Sequence, residues 1–214
     1  TRSEAFLSDS HGRDHVTKAS IAMDKDGHFL GVKVDTVAAV GAYLSQYGIF
    51  IPTLAGAGMH VGVYKIPTLY NKVNVVYTNT VPVDAYRGAG RPEASYVIER
   101  LVDKAADDLG IDPLELRMKN FVQPDEIGKN EGSILPFDSC DFQKTTEMSI
   151  VNSSYSDFVN RKKSADKSKY LKGIGVSYYV ERTQGEGSEN SRVVVSSDGS
   201  VKVYAGTMAT GQGH

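Results

Sequence analysis

The chain has 214 residues, of which 40% are hydrophobic and 23% charged, with a formal net charge of −2. That length can bury a sizeable core as one large domain or two small ones, and the near-neutral balance argues against a nucleic-acid or membrane surface. No apolar run approaches the roughly 18 residues that span a bilayer, and no secretory leader shows in Thr1-Arg2-Ser3-Glu4-Ala5-Phe6, so a cytoplasmic protein is expected.

Val16 to Met23 alternates loosely and leads into the turn signal Asp24-Lys25-Asp26-Gly27. His28 to Val40 follows with Phe29, Val32, Val34 and Val37, so the pair reads as a long β-hairpin. His11 and His15 have the spacing of two ligands on a helix face, but Gly12 and the adjoining strand predict a loop with a hydrogen-bonded histidine instead. Glycine and alanine recur from Gly41 to Gly62, which suits close packing of backbone against backbone or against a ligand. Tyr64-Lys65-Ile66-Pro67 restores an extended pattern, and Val73 to Thr78 is a strand by its β-branched content, running toward Asp84.

Ala94, Val97, Ile98, Leu101, Val102, Ala105 and Leu109 form one apolar stripe at helical spacing, closed by Gly110. Asp112 caps the next helix, with Pro113 at its first position and Glu115 completing a capping box, while Leu114, Met118 and Phe121 supply its core face. Gln123 to Phe142 is turn-rich and carries Cys140, the only cysteine. A lone thiol forms no internal disulfide and cannot hold an iron–sulfur cluster, which takes about four thiolates. Thr145 to Lys163 reads as a polar helix, and the charged connection from Lys162 to Lys172 suggests two subdomains, 1–162 and 163–214. Gly173 to Glu181 and Arg192 to Ser196 read as strands. Asp198-Gly199 turns the chain into Val201 to Tyr204, delivering a second small-residue loop, Gly206 to His214. The elements together give an α+β protein with mixed sheets and packed helices.

The stretch Asp84-Ala85-Tyr86-Arg87-Gly88-Ala89-Gly90-Arg91-Pro92-Glu93-Ala94 carries the chemistry. Gly88 and Gly90 flank an alanine and allow positive φ and close approach, while Arg87 and Arg91 place two permanent forked cations beside the exposed amides. Pro92 opens a helix where its missing N–H costs nothing. A strand, a tight cationic glycine turn and a helix start suit a loop that grips an anion or an oxo group. A strand-to-helix corner with solvated arginines is the alternative.

Ala85 to Ala94 resembles the active-site loop of the molybdenum hydroxylases, the large subunits of xanthine dehydrogenase, aldehyde oxidase and aerobic carbon-monoxide dehydrogenase. The Gly211-Gln212-Gly213-His214 end is similar to the family's second pterin-contacting motif. Ser10 to Asp14, Tyr64 to Pro67, Asp138 to Phe142 and Tyr179 to Glu181 stand in family order, so the resemblance covers nearly the whole chain.

It implies part of a molybdopterin-binding domain pair. The cofactor would be molybdenum on molybdopterin, in the dinucleotide form, with no protein ligand to the metal. Cofactor-binding residues would be Arg87, Gly88, Ala89, Gly90, Arg91, Gly211, Gln212, Gly213 and His214, with Gln212 both donating to and accepting from the pterin. Tyr86 and Ala89 would line the substrate pocket. The subunit would hydroxylate an aldehyde or N-heterocycle with water as oxygen source, passing electrons to iron–sulfur and FAD subunits. The family's first glycine-rich motif and its general-base glutamate match nothing here. No catalytic residue is therefore expected in this chain, which reads as a middle piece of a longer subunit, inactive by itself.

Departures narrow the substrate. Gly88 stands where carbon-monoxide dehydrogenases carry a copper-binding cysteine, and no other soft ligand for copper is present in the loop. Ala89 stands where purine-oxidising members carry a stacking phenylalanine, and Ala55 falls near their substrate-orienting arginine. A dinucleotide-binding module is the rival from another class, but Glu93 occupies the place of its third glycine and would repel pyrophosphate. A noncatalytic structural domain of a larger complex is a third reading.

Overall fold

Alternating small and β-branched residues build β1 (His15–Met23) and β2 (Phe29–Ala39), which pair antiparallel as predicted. The turn between them is closed by Asp24, whose Oδ1 accepts from the N–H groups of Asp26 and His28, both at 2.9 Å. A parallel third strand, β3 (Leu69–Val76), lies against β2, so the sheet is mixed in the order β1-β2-β3. Parallel pairing demands a crossover. It is made by the glycine-rich stretch, which contains a π-helical turn at Ile51–Ala55 and a 3-10 turn at Ala57–Val61. The computed structural model describes residues 1–127, 137–165, 169–181 and 189–207. It divides into two units, Thr1–Glu181 and Arg182–His214.

In the first unit a short helix, α1 (Arg2–Ser8), precedes β1. The long helix α2 (Arg91–Leu109) buries Ala94, Ile98, Val102, Ala105 and Ala106 of its apolar stripe. With Phe29, Val32, Val34, Val61, Val63, Tyr64, Ile66, Leu116 and Phe121 they form the core. Leu109, the last residue of the predicted stripe, is 42% exposed, because a helix terminus has neighbours on one side only. Asp112 caps α3 (Pro113–Lys119) by accepting from the N–H groups of Leu114 and Glu115. The return bond expected from Glu115 is not made, its side chain standing in solvent instead. Asn120 ties this helix to the hairpin: its amide donates to Gly27 O and Leu116 O, and its Oδ1 accepts from Phe29 N–H.

The polar helix predicted for Thr145 to Lys163 is two helices, α4 (Phe142–Ser153) and α5 (Phe158–Lys163). Ser154 takes a left-handed φ of 49° and ends the first. Arg161 Nη2 then donates to the carbonyls of Ser153 and Ser154, which satisfies the groups that the break exposes. Gly173 to Glu181, predicted as a strand, makes no ladder among the described residues. It passes instead along α4, where the Tyr178 hydroxyl bonds the buried Thr146 and its ring packs 4.9 Å from that of Phe121.

In the second unit β4 (Ser191–Val195) and β5 (Val201–Ala205) form the predicted hairpin, turning at Gly199 with φ 83°. Among the described residues no helix is long and apolar enough to cross a membrane.

Candidate functional site

The loop before α2 is reached differently from the sequence expectation. β3 stops at Val76, so no continuous strand feeds the glycine turn. The chain crosses the intervening residues with one parallel bridge, His11 to Val83. Bonds from His11 N–H to Pro82 O (3.0 Å) and from Asp84 N–H to His11 O (2.8 Å) hold residues 11–13 alongside the loop.

Gly88, Ala89 and Gly90 all have positive φ, at 93°, 36° and 93°. Three consecutive left-handed residues fold the chain back on itself. Ala89 N–H reaches Tyr86 O at 2.7 Å and Arg91 N–H reaches Gly88 O at 3.1 Å. The space is as restrictive as the dihedrals. A Cβ on Gly90 would lie 2.6 Å from Ile51 O and 2.8 Å from Gly56 N, so the π-helical turn seats directly on the loop. Ala55 belongs to that seat, its carbonyl carbon lying 3.2 Å from the position of a Cβ on Gly90.

We expect Gly90→Ala in the full-length subunit to destabilise this region by about 2–4 kcal/mol, from unfavourable φ plus backbone overlap. Faster hydrogen exchange at residues 85–91 and a lowered melting temperature would register it. An unchanged melt would mean that the loop moves aside freely.

Glu93 and Arg13 hold the loop from inside. Glu93 Oε2 accepts from Gly90 N–H at 3.0 Å, capping α2 although Gly90 at the cap position has no side chain of its own to do so. Arg13 Nε lies 3.5 Å from Glu93 Oε1, its Nη2 donates to Arg87 O at 2.6 Å, and its guanidinium stacks 4.7 Å from the Tyr86 ring centre. Arg13 was legible only as part of a motif in family order, because its partner Arg87 stands 74 residues away in the chain.

The predicted site residues separate accordingly. Arg87 is exposed, and neither its side chain nor its main-chain N–H donates to a described residue; the Gly88 N–H is likewise open. Arg91 is committed within the fold, with Nη1 on Gly88 O at 3.4 Å and Nε 3.4 Å from Glu181 Oε1. Gly90 is buried against the crossover, and Tyr86 is 64% exposed beneath Arg13. Gly211, Gln212, Gly213 and His214 lie outside the described residues.

Behind the loop a small pocket is lined by His15, Thr17, Thr36, His60, Gly90 and Glu93. His60 is 7% exposed and its Nδ1 has no hydrogen-bond partner among the described residues; burial, with the nearby His15, lowers its pKa to about 4. His15 is lowered too, by burial, while Glu93 and Asp14 pull it back up. His11 and His15 lie in the bridge segment and β1, not on a helix face, and the described residues contain no cluster suited to a metal ion. The Cys140 thiol is raised by burial and directed at Val122 O.

Residues 1–121 match the profile of a molybdopterin cofactor-binding domain, and residues 150–214 match a second molybdopterin cofactor-binding domain. The chain is 29% identical to the 6-hydroxypseudooxynicotine dehydrogenase complex subunit gamma of Paenarthrobacter nicotinovorans, across 99% of this chain and 27% of that one. It is also 29% identical to the carbon monoxide dehydrogenase large chain of Hydrogenophaga pseudoflava, across 100% of this chain and 28% of that one. The solved quinoline 2-oxidoreductase of Pseudomonas putida 86 is similar with a TM-score of 0.82 and 26% identity, over 100% of this chain and 29% of that one. The chain thus spans less than a third of the length of these relatives.

Proposed function

We propose, since this chain belongs to the molybdopterin cofactor-binding domain family, that it is part of the catalytic subunit of a molybdenum hydroxylase. The observation that carries this reading is the loop. Three successive left-handed residues present the open N–H groups of Arg87 and Gly88 beside the exposed Arg87 guanidinium. That is a donor-rich, cationic and sterically narrow surface, which fits the oxygen and pterin edges of the cofactor. It does not fit a dinucleotide fingerprint, because the Glu93 carboxylate already occupies the Gly90 N–H at the start of α2, where a pyrophosphate would bind.

Arg87, Gly88, Ala89, Gly90 and Arg91, together with Gly211, Gln212, Gly213 and His214, are the cofactor-binding residues of this proposal. Arg87 and Gly88 would touch it directly, whereas Gly90 and Arg91 shape the loop from behind. The bound group supplies a redox centre through which oxygen from water reaches an electron-poor carbon and electrons leave. The residues of this chain would orient that centre through the Arg87 guanidinium and the open N–H groups of Arg87 and Gly88. The general base is assigned to another part of the subunit. Among the carboxylates of this chain, Glu181 is paired with Arg91 and Glu189 accepts from the Thr207 hydroxyl, so neither is free to serve as that base.

The substrate class proposed is an aldehyde or an N-heterocycle. Ala89 offers no aromatic plate, Ala55 no cation and Gly88 no thiolate, which sets the chain apart from purine and carbon-monoxide chemistry. The two similar proteins named for quinoline and 6-hydroxypseudooxynicotine support it. The dinucleotide form of the pterin, iron–sulfur and FAD partner subunits, a cytoplasmic location and a boundary between 1–162 and 163–214 complete the proposal.

The test is the full-length subunit purified with its partners. Stoichiometric molybdenum and pterin are expected, with turnover of aldehydes or N-heterocycles in ¹⁸O-water placing the label in product. Absence of molybdenum and pterin would leave only the structural-domain reading. Stoichiometric copper that survives Cys140→Ser would overturn the assignment of Gly88.

A further inference from the structure

We infer that Arg13 is a positioning residue for this loop: its guanidinium fixes the Arg87–Gly88 peptide so that the Gly88 N–H faces away from the protein body, toward the group the loop holds. The inference rests on the cofactor-contacting role proposed above for Arg87 and Gly88.

Peptide geometry carries the first step. A trans peptide directs its C=O and N–H to opposite sides, and no cis bond occurs here. Arg87 O is held at 2.6 Å by Arg13 Nη2, so the Gly88 N–H points away from Arg13. In the preceding peptide Tyr86 O is engaged by Ala89 N–H at 2.7 Å, which leaves the Arg87 N–H open as well. Two adjacent donors are thereby aimed by anchoring the two carbonyls behind them. The first anchor is internal to the loop; the second is Arg13 alone among the described residues.

Backbone strain provides an independent observation. Arg13 has φ 66°, a left-handed conformation uncommon for a long side chain. Such strain persists where the surroundings over-determine it, and it concentrates at functional positions. The adjoining residue is shaped for the same contact, since a Cβ on Gly12 would lie 2.9 Å from Tyr86 Cβ. Arginine is specified over lysine by the number of simultaneous partners. The planar fork meets Arg87 O, the Glu93 carboxylate and the Tyr86 ring at once, which an ammonium group cannot do.

The test uses the full-length holoenzyme carrying R13A, R13K or R13G, the last removing the guanidinium while relieving the positive-φ strain. Expected are a fall in kcat of about 10- to 100-fold, a KM within about threefold of the parent, and an altered Mo(V) electron paramagnetic resonance signal at retained molybdenum content. Hydrogen exchange at residues 85–89 should quicken. R13K should recover the melting temperature without recovering kcat, which separates positioning from general stabilisation. A kcat for R13G within about twofold of the parent, with an unchanged resonance signal, would overturn the inference. A parent lacking molybdenum would sink the functional reading instead. The exchange comparison would then decide the role of Arg13, with unchanged rates at residues 85–89 refuting it.

Discussion

Glu99→Ala in the full-length subunit is expected to destabilise the packing of α2 against α3 by about 3–5 kcal/mol, the loss typical when one partner of a buried ion pair is removed. Arg117 is fully buried on α3 and Glu99 nearly so on α2, with Nε to Oε2 at 2.9 Å. The remaining guanidinium nitrogens reach Asp103 Oδ1, Glu99 O and Pro113 O, and Glu99 Oε1 accepts from the Tyr64 hydroxyl at 2.6 Å. Truncation therefore leaves two buried donors without their carboxylate acceptor at once, the Arg117 Nε–H and the Tyr64 hydroxyl. Arg117 cannot escape by losing its proton. Burial alone would lower its pKa, but the carboxylates of Glu99 and Asp103 outweigh that and hold it above the ordinary arginine value. The Tyr64 phenol is likewise held neutral, raised well above 10.0 by burial and by Glu99. Urea-dependent proteolysis of the α2–α3 region would measure the loss. Glu99→Leu combined with Arg117→Met should regain most of it, because a well-packed apolar pair matches or exceeds a buried ionic one. A single Glu99→Ala variant within about 1 kcal/mol of the parent would show that water reaches Arg117 freely.

That network was invisible to sequence reading for a definable reason. Glu99 and Arg117 fall among the polar letters of two amphipathic helices, and polar letters at those positions read as solvated faces. Only the crossing of α2 over α3 turns them inward. The signals that could be read were local. The period-2 strands, the apolar stripe from Ala94 to Ala105, the Gly110 stop and the Asp112 cap each depend on neighbours a few residues away. Ser154 marks the limit of that kind of reading. Nothing in Thr145 to Lys163 forbids one helix, yet Arg161 folds back to satisfy the carbonyls of Ser153 and Ser154, and two short helices result. Gly173 to Glu181 has strand composition but packs on α4, since a ladder requires a partner edge as well as β propensity.

The loop divides along the same line. Gly88, Gly90 and Arg87 could be picked out because the turn chemistry is local and because the ten-residue pattern resembles a family loop. Which arginine acts on which group could not. Arg91, grouped in the sequence with Arg87, is occupied by Glu181 and Gly88 O, while Arg13 makes the bond that orients the turn. Sequence reading treated Glu93 chiefly as a defect in a nucleotide fingerprint, yet it is the residue through which Arg13 and Gly90 communicate.

Acid is expected to loosen the same loop, through His60. Its folded pKa of about 4 lies below the ordinary 6.5, so between those values the unfolded chain binds more protons than the folded one. The stability contributed by neutral His60 is therefore complete above about pH 6.5 and is lost as pH falls through that window toward about 4. The full shift corresponds to about 3 kcal/mol. His15 titrates in the same direction, lowered chiefly by burial, and its positive charge disfavours the charged form of His60. The depressed carboxylates act later: Glu4, Asp24 and Asp198 lose their contributions only as pH falls below ordinary values of 4.5 and 3.8. The interval from about 6.5 to 4.5 thus reports the histidines alone among these groups. Since Gly90 and Glu93 line the pocket that holds His60, charging it should first open the loop seat. His60→Met removes the titration and fills similar space, so neutral-pH stability should stay within about 1 kcal/mol. The measurement is hydrogen exchange at residues 85–94 in the full-length subunit, rate-corrected for pH, from pH 7 to 4.5. Protection should decline across this range in the parent and remain flatter in His60→Met. Identical declines in both proteins would place the acid sensitivity elsewhere.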